Sequence, residues 1–435
     1  MQNFIEKAYI QMGKNKVAQD STLLLSKLEI IPSRSFTLSN GIPVLALHNE
    51  DYRLIRLDIR LLSEQGSQAK LLSNSATART LFTGSFRHDR KQISEIMDFH
   101  GAYHDVNIDK DFTTFSIYFP KEAAKKIFAL LQEVFTMPNF PEPELNNIRE
   151  KQKRELAIKL GRNSYIAFKE FLQTLFESHP YGRFPEYEDY DAIERKDLCN
   201  FYTTHYHASN MRLYIAGNID KEIKTLLSKT FELMPQGIIP EIKNNTIPLR
   251  SPVKKTIEKD GALQSNVVIG KSIFNLAHAD WKKFNVLNLT LGGYFGSRLM
   301  SEIREKSGLA YSIYSSISSY IESGIFYISA HVNSDKTAQA LNEIYKVIEN
   351  LSKTPIQEKE LNLVKNYYYG NLLRDFDGVF SVLDRYMDVD DYGLTIDYWH
   401  DFLETIRQIN SEDLLSLAGT YLDPASMAEI VVGKK

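Results

Sequence analysis

Cysteine is almost absent from this chain of 435 residues: Cys199 is the only one. No intrachain disulfide can form, and no cysteine-rich metal site exists. Long apolar runs are missing too; none reaches the roughly 20 residues that a bilayer-crossing helix needs. Charge of one sign is not in excess either. Acids and bases are interspersed and the formal net charge is -3, so neither nucleic acid nor another polyanion is an expected partner. Met1 to Asp20 is polar and holds no apolar segment, so neither a secretory leader nor a membrane partner is expected. A reducing, cytoplasmic setting is the resulting expectation. No G-x-S-x-G, P-loop or Rossmann fingerprint is present.

What is present is globular in character, with 43% hydrophobic and 25% charged residues over a length too great for one ordinary core. Residues 1–30 read as helical or loosely ordered. Asn40-Gly41 between Phe36 to Leu38 and Ile42 to Leu47 is a hairpin signal, because both turn residues tolerate positive φ. Ile55, Leu57, Ile59 and Leu61 alternate with Arg56, Asp58 and Arg60, which predicts a strand with one buried and one wet face. A buried helix over Leu71 to Phe82, a second hairpin over Tyr103 to Phe119, and amphipathic and charged helices to Tyr206 follow. Met211 to Ala216 is a strand closed by Gly217. Gln236 to Pro252, with three prolines, reads as a linker.

The second half repeats the first. Glu144-Leu145-Asn146 matches Glu360-Leu361-Asn362, Asp197 and Leu198 match Asp413 and Leu414, and Gly217 matches Gly433, all at one offset of 216 residues. Each half mixes hairpins with helices. The expected fold is α+β: two duplicated domains, each an antiparallel sheet with helices on one face. Their bounds are 1–235 and 253–435, joined by the linker 236–252. Two such domains would enclose a space.

The stretch from Gly296 to Ser312 stands out. It reads as a short helix that turns into a strand, with Ser297 able to cap its start, Lys306 in its last turn and Gly308 as the left-handed residue that ends it. Arg304 then lies near the helix end and Tyr311 on the strand just after it. A guanidinium and a phenol on two rigid elements can converge on a peptide carbonyl. On residue types alone the plainer reading, a solvated helix cation and an ordinary strand residue, carries more weight. A similar pattern, Ser94-Glu95-Ile96 followed by Gly101 and Tyr103, occurs in the first half.

These stretches resemble the insulinase/pitrilysin family of zinc metallopeptidases, which includes mitochondrial processing peptidase. The matching segments are Leu38 to Gly41, Phe82 to Ser85, His179-Pro180-Tyr181-Gly182, Asn210 to Gly217, Ser297 to Leu299, and Arg304 to Tyr311. The resemblance implies that Arg304 and Tyr311 contact the substrate backbone or the reacting carbonyl. Active members carry H-x-x-E-H, in which two His one helical turn apart grip zinc and the Glu acts as general base. Counting back from Phe82 puts that motif at Ser75-Ala76-Thr77-Ala78-Arg79. Ser75 and Arg79 fill the His positions and Ala78 the base position. Glu155 sits where a distal ligand would be, and then reads as an ordinary helix carboxylate. No metal or other cofactor is expected in this chain, and no catalytic residue.

Some members of the family work as two chains, one with the zinc motif and one without it. The leading expectation is a substrate-binding partner subunit: Arg304 and Tyr311 act beside a homologous H-x-x-E-H subunit that carries the zinc, with a peptide held between the two. The oligomeric state of the isolated chain, including a homodimer, stays open. A structural or peptide-binding subunit without a role in proteolysis, like the core subunits of respiratory complexes, is the second reading. A peptidase with a rearranged metal site is the third; it would need His100 and His104, or His205 and His207, to gather ligands.

Overall fold

The structure is a computed structural model and describes residues 28–63, 70–238 and 252–434. The expectations for residues 1–27 and for most of the linker fall outside these segments. In the first domain come β1 (Arg34–Thr37), β2 (Pro43–His48), β3 (Leu54–Leu62), α1 (Ser73–Thr80), α2 (Arg90–Phe99), β4 (Tyr103–Ile108), β5 (Phe112–Pro120), α3 (Ala124–Thr136) and α4 (Glu142–Leu160). They are followed by α5 (Asn163–Phe176), α6 (Tyr187–Ala192), α7 (Arg195–His205), β6 (Met211–Gly217) and α8 (Lys221–Phe231). The second domain runs β7 (Lys254–Glu258), β8 (Gln264–Ile273), α9 (Trp281–Asn288), β9 (Ala310–Ser319), β10 (Gly324–Asn333), α10 (Thr337–Lys353) and α11 (Glu358–Asp375). It closes with α12 (Val379–Asp390), α13 (Asp397–Gln408), α14 (Ser411–Tyr421) and β11 (Ala428–Gly433).

The first sheet has the order β1-β2-β6-β3-β5-β4 and the second β7-β11-β8-β10-β9. The fold is α+β and duplicated, and α7 and α14 start and end 216 residues apart. The Asn40-Gly41 turn forms as read, with Gly41 at φ 88. Neither sheet is wholly antiparallel, however. β2 pairs parallel with β6, and β7 with β11. The last strand of each domain returns between strands laid down early, and such a long-range pairing leaves no local signal.

One face of each sheet carries that domain's own helices over an apolar core. Ile55, Leu57 and Ile59 of β3 pack there with Phe115, Phe128 and Leu131. The opposite faces are covered as well, each by a single helix from the other domain. Helix α5 lies on β8 and β11, burying Ala167, Phe171 and Phe176 against Val268, Ile430 and Val432. Gly270 makes this approach possible, since a Cβ there would stand 3.0 Å from Phe171 Cζ and far closer to the Phe326 carbonyl. Helix α12, the repeat equivalent of α5, lies on β2 and β6.

The contact of α12 adds several ion pairs to an apolar seam, where that of α5 is mainly apolar. The strand β3 therefore has no wet face: Arg56 and Asp58 are 7% and 0% exposed. Arg56 Nη2 donates to Asp384 (2.7 Å), and its Nη1 to the Phe380 carbonyl (3.3 Å). Arg60 pairs with Asp391. Tyr214 and Arg212 of β6 donate to Asp390 Oδ2 at 2.5 and 3.2 Å. Within the strand, Arg56 Nε lies 2.7 Å from Asp58 Oδ2. Burial raises the Asp58 carboxyl above its usual range, against the attraction of Arg56. Asp58 therefore holds Arg56 in place for Asp384, and the set fixes the docking geometry more than it adds net stability.

A second latch closes the domains at the His179-Pro180-Tyr181-Gly182 turn. His179 Nε2 lies 2.8 Å from Glu322 Oε2, and Tyr181 OH donates to Asp111 Oδ1 at 2.6 Å. The amides of Ile321 and Glu322 donate to Asp111 Oδ2 (3.0 Å) and Tyr181 OH (3.2 Å).

Two predictions follow from these contacts. Arg56→Ala strands Asp58 in the interface and should lower the unfolding free energy by about 3–5 kcal/mol. Urea denaturation reads the loss, and less than about 1 kcal/mol would show that the pair does not hold the domains. The second concerns pH. Burial pushes Asp111 up to about 6, opposed by the hydrogen bonds from Tyr181 and Ile321. The folded chain thus keeps a proton that the unfolded chain releases near pH 4. This contribution is full below about pH 4 and is lost as pH rises towards about 6. Thermal melts of Asp111→Asn should show a flatter dependence over that window; an unchanged slope would contradict it.

Candidate functional site

Arg304 and Tyr311 flank one helix-to-strand corner. The expected short helix forms, and over Met300–Lys306 it is a π-helix. The Leu309 amide closes back on the Ile303 carbonyl at 3.0 Å, and the Ser307 amide on Glu302 at 3.1 Å. Local apolar spacing does not reveal the extra residue in such a turn, which recurs at functional sites. Ser297 is buried, and its hydroxyl has no partner among the described residues, so it does not cap the helix. The start is held instead by Arg298, whose fork meets Glu360 of α11 at 2.8 and 2.9 Å. Lys306 pairs with Glu302 at 2.6 Å, and Gly308 turns the chain at φ 58.

Beyond the glycine, β9 opens with a bulge. Val332 pairs with Ala310 and His331 with Ser312, which leaves Tyr311 as the unpaired extra residue. A bulge re-aims the side chain it carries, and Tyr311 is 76% exposed. The Arg304 guanidinium lies over the Phe295 ring at 5.5 Å. Among the described residues Arg304 has no ion pair and the Tyr311 hydroxyl no hydrogen bond. The two are brought to one corner without bonding each other. Phe295, exposed beneath Arg304, had no signal in the sequence reading.

The segment Ser75 to Arg79 lies on α1, as expected. Ser75 Oγ bonds back to the Leu72 carbonyl at 3.2 Å. Ala78 is buried and Arg79 exposed. The helix packs on α4, where Glu155 lies 4.0 Å from Lys151. Burial pushes the Tyr190 hydroxyl up to about 12, and Arg79 and Glu155 act on it with opposite signs. The polar inner surface of α1 serves a structural triangle instead. Asn74 donates to Ser63 Oγ (3.1 Å) and accepts from Thr113 Oγ1 (3.0 Å), and the two hydroxyls lie 3.1 Å apart.

The histidines are dispersed. His100 ends α2 and Gly101 leaves it at φ 61, so His104 lies on β4, stacked on Phe82 at 4.2 Å. Burial lowers the His104 pKa. The four-residue spacing spans a helix end and gathers nothing. His205 stacks on Phe201 at 3.9 Å with Nδ1 3.1 Å from the Phe201 carbonyl, and the His207 ring packs against Gly237. No group of three His, Cys, Asp or Glu among the described residues can hold a metal ion.

Comparison with known proteins gives the same family twice. Residues 77–184 match the family described as insulinase (peptidase family M16), and residues 192–368 match the peptidase M16 inactive domain. The chain belongs to the insulinase family. An uncharacterized zinc protease of Rickettsia bellii is 26% identical over 348 residues, 76% of this chain and 81% of that one. A peptidase M16 inactive domain from Pseudomonas fluorescens superposes with a TM-score of 0.84 at 21% identity, over 93% of this chain and 98% of that one. The periplasmic protease PqqL of Escherichia coli superposes with a TM-score of 0.76 at 14% identity, over 98% of this chain but 50% of PqqL. The family resemblance in the sequence and the duplicated clamshell-half fold are thereby shown.

The residues present do not fit the zinc of the family's active members. Where that motif would place two imidazoles and a base, this insulinase-family chain has a serine, a guanidinium and a buried methyl group. A catalytic zinc takes three protein ligands; Glu155 offers one carboxylate, and Arg79 brings a like charge to the metal. The catalytic motif is lacking, and α1 is retained as a packing element. Asn74→Ala would remove one hydrogen bond from each of the Ser63 and Thr113 hydroxyls and should cost about 1–3 kcal/mol. Denaturant titration tests this, with an unchanged midpoint as the contrary result.

Proposed function

We propose that this chain is the non-catalytic, substrate-binding subunit of a heterodimeric zinc metallopeptidase that degrades or processes peptides in a closed chamber. The observation that carries the reading is a contrast. The zinc-binding positions are occupied by groups that repel or ignore a metal, while a half-buried Arg304 and an exposed Tyr311 stand without polar partners among the described residues on a braced corner. A guanidinium and a phenol held in this way can donate to a peptide carbonyl, or to the oxyanion that forms from it. They would act as substrate-binding groups, and catalysis would rest with a homologous partner that bears H-x-x-E-H and the zinc. PqqL is twice the length matched here, which supports a second half of similar size completing the enclosure. The lone Cys199 suits a reducing cytoplasm.

The isolated chain should purify with less than about a tenth of an equivalent of zinc by elemental analysis. A value near one equivalent would bring back a metal site in this chain. In the reconstituted pair, Arg304→Ala should lower kcat about 100-fold while leaving association with the partner intact. Unchanged turnover would remove Arg304 from the reaction, and failure to find an H-x-x-E-H partner would favour a scaffold role.

A further inference from the structure

The chain enters the Arg304 corner through a tight turn with an aromatic residue at its tip. The Ser297 amide closes back on the Tyr294 carbonyl at 3.1 Å, which places Phe295 and Gly296 at the two central positions of the turn. Helix α11 braces both ends. The Tyr294 ring packs on Tyr367 with centroids 4.8 Å apart, and Arg298 Nε and Nη2 donate to Glu360. Gly296 lets the turn close on the Tyr294 ring, since a Cβ there would stand 2.8 Å from it. The backbone that carries Phe295 is thus held, yet the residue is 64% exposed. Its ring adds little to the core and leaves most of its apolar surface in water.

That ring lies under the Arg304 guanidinium, with Cζ 5.5 Å from its centroid. Within about 6 Å the negative face of a ring attracts a cation held over it. Arg304 is half-buried and has no ion pair among the described residues, so the π contact is what orients it. A carboxylate in this place would occupy the guanidinium N–H groups, whereas a ring face leaves them free to donate. We propose that Phe295 is the platform of the peptide-binding corner: its ring holds the Arg304 guanidinium for a substrate carbonyl, and its exposed surface seats the side chain beside that carbonyl, so that the corner selects peptides with a bulky apolar residue there. This rests on the substrate-binding role of Arg304 proposed above.

The selectivity follows from that contact. A carbonyl bonded to Arg304 is brought next to the ring, and the neighbouring side chain comes with it. The strand beyond the corner offers no charge: β9 holds none from Ala310 to Ser319, and its Tyr311 and Tyr314 are 76% and 45% exposed. An aliphatic or aromatic side chain removes apolar surface from water on both partners. An acidic one would compete with the carbonyl for the guanidinium, and a basic one would be repelled by it. Phe295 is then a positioning residue for Arg304 and a specificity contact for the peptide.

The test is fluorescence anisotropy of the full chain with two end-labelled peptides, a Gly-Ser repeat with one central Phe and the same peptide with Ala in its place. The Phe peptide should bind at least about fivefold more tightly than the Ala peptide. Arg304→Ala should weaken both about tenfold. Phe295→Leu keeps apolar surface but loses the π face; it should weaken both about threefold and keep the preference. In the Arg304→Ala background the same change should add nothing, because its effect runs through the guanidinium. Phe295→Ala should erase the preference, and Phe295→Tyr should restore wild-type binding. If Arg304→Ala weakens binding while Phe295→Leu and Phe295→Ala bind as the wild type does, the platform is overturned and the substrate-binding reading stands. If Arg304→Ala binds as the wild type does, or neither peptide saturates the wild type up to about 1 mM, that reading falls and the platform with it.

Discussion

The docking of one acidic helix on one cationic strand face holds the rest of the molecule in place. Asp384, Asp390 and Asp391, in and just after α12, meet Arg56, Arg212 and Arg60 on the first sheet. Such contacts are directional, and charges taken from water tolerate little misplacement. They fix the angle between the domains in a way that the apolar contact of α5 does not by itself. Everything that spans the boundary inherits that angle, including the His179 turn beside Glu322.

Local features were legible in the sequence. The Asn40-Gly41 hairpin and the Arg304–Tyr311 corner depend on residues close in the chain, where spacing and turn chemistry speak directly. Duplication was legible because the α7 and α14 repeats keep one offset. The second buried face of β3 was not. The groups that cover Arg56 and Arg60 lie 324 to 331 residues away, and alternation of Ile and Arg gives the same pattern whether the polar side meets water or carboxylates. The parallel return of β6 beside β2 was hidden for the same reason.

The site shows a related division. That the zinc positions hold Ser75, Ala78 and Arg79 can be read from residue identity alone. That α1 remains packed, through Asn74, Ser63 and Thr113, needs three segments brought together. The corner gave up its order but not its shape: helix, glycine and strand were plain. The π turn and the bulge at Tyr311 each insert one residue into a regular ladder, and a ladder is visible only when both of its sides are.

The reciprocal helices have a further consequence. Equivalent elements of two repeats, each seated on the other's sheet, have the geometry of a two-fold swapped dimer. Carried on separate chains, that exchange would depend on concentration. Carried on one chain, it becomes intramolecular, with an effective concentration set by the linker. Neither repeat then has a complete surface of its own, because each leaves a sheet face bare until the other arrives. The unit that folds is the pair, and a cut between the repeats yields two halves that need each other rather than two independent domains.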